Sequence, residues 1–130
     1  MYRIQGIVNA FVKDASAANR EIGQLVRIKN DGTATTGTGE SNKLFFPVTE
    51  KLVVADDDVV SAQVNGIAMC YVETASGITA GTRVGVGATF LGVAAEGANP
   101  AFILGYALKT PAGDGDLIPV LLTPSSDEIV

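Results

Sequence analysis

The stretch GYALKTPAGDGDLIPVLL, residues 105–122, reads as strand, turn, strand. A small apolar run, Gly105-Tyr106-Ala107-Leu108, opens it. A loop of Pro, Gly and Asp follows, then a second apolar run that Pro119 interrupts. The opening has two cousins upstream, Gly66-Ile67-Ala68-Met69 and Gly92-Val93-Ala94-Ala95. In a strand, alternate residues point to the same face. Gly66 and Ala68 therefore share one face, opposite Ile67 and Met69. Gly105 and Ala107 lie opposite Tyr106 and Leu108, and Gly92 and Ala94 opposite Val93 and Ala95. Each copy predicts a strand with one thin face. That face serves close packing inside a small barrel or sandwich, or contact with a neighbouring subunit.

Working outward, residues 66–122 read as strands at short spacing, about 64–73, 82–87, 90–95, 102–109 and 116–122. The connectors TASGITAG, a tight turn near Gly87-Ala88, EGANP and TPAGDG separate them. Such spacing with Gly and Pro turns predicts an all-β chain, a small antiparallel β-barrel or β-sandwich. Upstream, residues 23–29 alternate, with Leu25, Arg27 and Lys29 one way and Val26 and Ile28 the other. Asn30-Asp31-Gly32 marks a turn. Residues 32–42, GTATTGTGESN, read as a mobile loop without an apolar anchor. Pro47 marks an edge or a break between Leu44–Phe46 and Leu52–Val54. Residues 14–22, DASAANREI, fit either the one short helix, capped by Asp14 or Ser16, or a loop. Residues 2–12 fit a strand or an extended N-terminal arm, and the acidic tail 123–130 is expected to project. The length predicts one domain, residues 1–130.

Composition narrows the chemistry. With no Trp and 6% aromatic residues, the core must be built from Val, Ile, Leu and Ala. The net charge of −5 and nine scattered basic residues leave no basic footprint, so nucleic acid and anionic membrane are not expected partners. The start of the chain lacks a signal-peptide pattern, and no apolar run approaches the ~20 residues that span a bilayer. There is no His, which removes imidazole mechanisms and His/Cys zinc sites. Cys70, the only cysteine, sits in the apolar run IAMCYV and reads as a buried hydrophobe. Gly32 to Gly37 has P-loop glycine spacing, but Thr38 stands where Lys is required. Gly85-Val86-Gly87 begins a dinucleotide fingerprint that Phe90 breaks. Asp56-Asp57-Asp58 reads as a solvated turn rather than a cation site. No catalytic residue, metal site or cofactor is expected, and the chain does not read as an enzyme.

Residues 64–87 and 90–124 together resemble the capsid decoration, or cement, proteins of tailed bacteriophages. The resemblance rests on Gly66, Ala68, Gly81, Val84 and Val86, then Gly105, Ala107, Gly113, Gly115, Val120 and Leu121. The phrase ITAGTRV, residues 78–84, is especially similar. It covers roughly the C-terminal half, and the motif is made of small and apolar residues. The resemblance implies a β-rich virion protein on the outer surface of the capsid, made in the host cytoplasm. Such proteins sit commonly as homotrimers and bridge neighbouring copies of the major capsid protein, stabilising the shell. Another phage structural β-protein, in a tail, head fibre or spike, is the alternative. The candidate capsid-contact residues are Tyr2, Ile4 and Ile7, which are placed to add a strand to a capsid sheet edge. The loop 32–42 and the tail 123–130 are further candidates for ordering on contact.

Overall fold

The computed structural model describes residues 6–36, 44–96 and 102–123. Among these, ten β-strands and no helix occur. The second half closes into a barrel. Its strands are β6 (Gly66–Thr74), β7 (Arg83–Val86), β8 (Val93–Ala95), β9 (Ile103–Ala107) and β10 (Leu117–Leu122), in the order β10-β6-β8-β7-β9. All five match strands expected from the sequence to within a few residues. The PAGDG loop joins β9 to β10 as an antiparallel pair, with Leu121 opposite Tyr106 and Leu122 opposite Gly105. Gly115 takes φ +86°, and Asp114 accepts a hydrogen bond from the Ala75 main chain at 2.8 Å. The loop is thereby tied to the end of β6.

One neighbour relation differs from an all-antiparallel barrel. β8 runs parallel to β6, with Val72 opposite Val93. β7 and β8 pair with each other antiparallel, and this pair lies between β6 and β9. The connector from β6 to β7 therefore passes β8 before the chain turns back. Strand spacing alone carries no record of that order, because spacing describes neighbours in sequence.

The thin faces of β6 and β9 turn inward. Ala68 and Ala107 are in the barrel core with Cys70, Val72, Val84, Ile118 and Val120. Their job is core geometry, not contact with a subunit. β8 is turned the other way: Val93 and Ala95 face the core, while Gly92 backs on Tyr71. A Cβ at Gly92 would overlap the Tyr71 carbonyl, so close approach requires glycine there.

The first half builds two small sheets against the barrel. β2 (Leu25–Ile28) lies between β3 (Ala34–Thr35) and β4 (Phe45–Pro47), and β1 (Val8–Val12) pairs antiparallel with β5 (Val59–Gln63). β2 is buried on both faces. Leu25 packs into the barrel core, and Val26 and Ile28 into a second cluster with Ala34, Phe46, Val48, Leu52, Val60 and Ala62. The loop expected at 32–42 has an anchor after all: Ala34 and Thr35 are buried as β3, because Ala34 fills the second cluster. Residues 37–42 of that loop lie outside the described residues. Pro47 sits in β4, at the edge of its sheet, where its missing N–H costs no ladder bond. Residues 14–22 form turns and an isolated bridge at Arg20, the loop alternative of the two readings. Asp57 caps the 53–57 turn by accepting from the Val53 main chain at 2.8 Å.

Candidate docking surface

Of the three candidate contact residues, Tyr2 and Ile4 lie outside the described residues, as does the tail 124–130. Ile7 is described and is 55% exposed. It is held at the mouth of the β1–β5 ribbon, where its main-chain N–H donates to Asn65 Oδ1 at 2.7 Å and its carbonyl accepts from Val64 at 2.9 Å. Within the stretch 2–12, Val8–Val12 form a strand rather than a free arm.

The ribbon has two faces of different character. Phe11 stacks on Phe46 at 6.2 Å between ring centroids, and its partner Val60 is buried with it. On the other face Val12 lies opposite Val59, and both stay about half exposed. Val8 and the exposed Ala10 lie along the same face, so Val8, Ala10, Val12 and Val59 leave an uncharged apolar surface on one side of the ribbon. Contiguous exposed apolar patches on a folded chain are often sites of interaction when they exceed a few hundred Å². Val8, Ala10 and Val12 alternate with Asn9 and Phe11 along β1, and the sequence does not say which of the two faces another sheet takes.

A second apolar strip lies on the outer wall of the barrel. Tyr106 and Leu121 are cross-strand partners, 41% and 40% exposed, and Leu121 is flanked on its other side by Ile67. The bulky faces of two of the repeated motifs, not the thin ones, form this wall.

Charge chemistry is sparse around both surfaces. Lys13 turns its ammonium back to the Val54 carbonyl, away from the ribbon face. Arg83 pairs with Glu96 at 3.5 Å beside Tyr106. Among the described residues no group of His, Cys, Asp and Glu is placed to hold a metal ion. Cys70 is fully buried, and burial pushes its thiol far above the ordinary range. A shallow apolar cleft of about 70 Å³ lies between Ile22, Pro47, Val48, Gln63 and Met69, well below the ~300 Å³ of a small-molecule site. No family model, curated protein or solved structure matches this chain.

Proposed function

We propose that this chain is a structural virion protein that binds the outer surface of an assembled phage capsid and bridges neighbouring major capsid subunits. The observation that carries the reading is the exposed apolar face of the ribbon at Val8, Ala10, Val12 and Val59, with exposed Ile7 at its mouth. It stands directly downstream of Tyr2 and Ile4, the other residues expected to reach a capsid sheet edge. The resemblance of residues 64–87 and 90–124 to decoration proteins supports it from the other half of the chain. A closed barrel gives such a protein a rigid body, and the ribbon gives it a face that docks. The chain acts as a homotrimer that does no chemistry. Weak patches on each subunit become strong when three engage together.

The test is binding to shells of the phage that encodes the chain. Purified protein should saturate mature, expanded shells at a fixed ratio and bind unexpanded shells poorly. Equal binding to both, or none, overturns the reading. Removing residues 1–5, which leaves β1 intact, tests the arm separately: unchanged occupancy removes Tyr2 and Ile4 from the contact.

A further inference from the structure

We propose that the outer edge of β1 pairs antiparallel with β1 of a second copy of this chain, about a two-fold axis at Asn9. The hydrogen-bond alternation identifies the free edge. The Ile7 carbonyl accepts from Val64 and the Lys13 N–H donates to Asp58, both at 2.9 Å. Odd-numbered residues of β1 therefore face β5, and Val8 and Ala10 turn their N–H and C=O groups to the outside. Among the described residues no strand lies beside them.

The length of that edge selects the register. At its far end Lys13 bridges to Ala34, and Asp14 donates to the Ala34 carbonyl at 2.7 Å, so β3 closes the edge there. At its near end Gly6 takes φ +147° and the chain leaves the strand direction. The open stretch lies within IVNAFV, residues 7–12, and ends at Phe11, since the Lys13–Ala34 bridge takes up the Val12 carbonyl. A two-fold at Asn9 sets Val8 against the second copy's Ala10 and forms four main-chain hydrogen bonds. Moving the axis to Ala10 would drive the second copy's Ile7 onto Lys13, where Ala34 already stands.

The occupant follows from chemistry and size. Exposed edges are ordinarily protected by charge, proline or a bulge, and IVNAFV has none of these. The same uncharged stretch supplies its own complement, since Val8 and Ala10 exchange places across the axis with their side chains on one face. Edge pairing sets Val8 and Ala10 of the two copies side by side and leaves the faces of the ribbon open, so a symmetric pair buries well below the ~1,200 Å² of a stable interface. The contact belongs to the weak, concentration-dependent class and forms where copies are crowded. It does not depend on the capsid reading, and its test uses the isolated full chain.

Asn9 faces its counterpart as a non-hydrogen-bonded pair, with α-carbons about 4.5 Å apart, inside the range a disulfide spans. Buried Cys70 stays out of the reaction. Under mild oxidation at high protein concentration, Asn9→Cys should form covalent dimers at least tenfold faster than Asn30→Cys, a variant in an exposed turn. Adding Ala10→Pro, which removes an outward N–H at an edge position where proline is tolerated, should abolish the difference. Equal rates for Asn9→Cys and Asn30→Cys overturn the proposal, as does crosslinking that survives Ala10→Pro. Should the proline variant fail to fold, a mixture of Val8→Cys and Ala10→Cys decides. Heterodimers forming faster than either homodimer uphold the register, and a statistical mixture refutes it.

Discussion

Gly105 packs directly on the Leu121 carbonyl across the β9–β10 pair, and a Cβ there would overlap main-chain atoms of Leu121. The constraint is spatial and comes from the adjacent strand. It sets the spacing of the wall that carries Tyr106 and Leu121 outward.

Gly105→Ala should therefore destabilise the fold by about 2–3 kcal/mol, because backbone must move to admit the methyl group. Gly113 has nothing within 4 Å of the same position, and Gly113→Ala should stay within about 0.5 kcal/mol of the parent. Urea unfolding of the two variants checks the contrast.

Arg27 is 4% exposed, and its guanidinium carbon lies 5.0 Å from the Phe45 ring centroid and 4.9 Å from that of Phe90. The two rings stack on each other at 5.6 Å. Phe90 has φ +63°, a strained conformation for a side chain of its size, within a turn closed by its N–H to the Gly87 carbonyl. Arg27→Ala removes the cation and the aliphatic stem that pack there, and should cost about 3 kcal/mol. Arg27→Lys retains charge and stem and should cost less, as read by thermal unfolding with Phe90→Ala for comparison.

Cys70 should be silent toward a thiol reagent in the folded chain. Burial holds its thiol in the protonated form, which is unreactive. Labelling should track global unfolding across a denaturant series. Stoichiometric labelling in the absence of denaturant would contradict the barrel packing.

Several carboxylates are held below their ordinary range. For Asp116 the cause is first the hydrogen bond from the Ala112 main chain, then that from Leu117 and the nearby Lys109 charge. For Asp14 it is first the Lys29 ammonium at 3.2 Å, then the Ser16 N–H. For Asp31 it is Thr33, through side chain and main chain. A carboxylate lowered on folding stabilises the native state above its unfolded value, near 3.8, and loses that contribution as pH falls through the folded value. Melting temperature should thus hold from pH 7 to about 5 and decline below about pH 4. Asp116→Asn should shallow that decline and leave the neutral-pH melting temperature lower than the parent's.

The strands of the barrel were legible because alternation and Gly/Pro punctuation are local properties. Asn30-Asp31-Gly32 and PAGDG were legible for the same reason, with Gly32 and Gly115 taking the positive φ their turns need. Ala34 was missed because a small residue in a Gly/Thr-rich run carries no amphipathic signal, yet it fills the second cluster. Arg27 was placed on the right face of β2 with Leu25, but its burial was not visible. Only the meeting of residues 27, 45 and 90 gives a guanidinium two rings to rest on. Ile7 was named as a contact candidate from its place in the extended N-terminal stretch and is exposed, while Val59 entered only through its pairing with Val12.

The sequence by itself determined an all-β chain, the position of the barrel strands, a core rich in Val, Ile, Leu and Ala to which Phe45, Phe46 and Phe102 are added, and the absence of imidazole chemistry. These follow from residue identity and from period-two alternation, which act over a few residues. The tertiary structure alone decided that β8 lies parallel to β6, that the thin faces of β6 and β9 look inward while that of β8 backs on Tyr71, and that among the described residues no strand lies beside the outer edge of β1. Each of these depends on which surfaces, distant in the chain, find one another to bury apolar area, and that choice is made by the whole set of strands together.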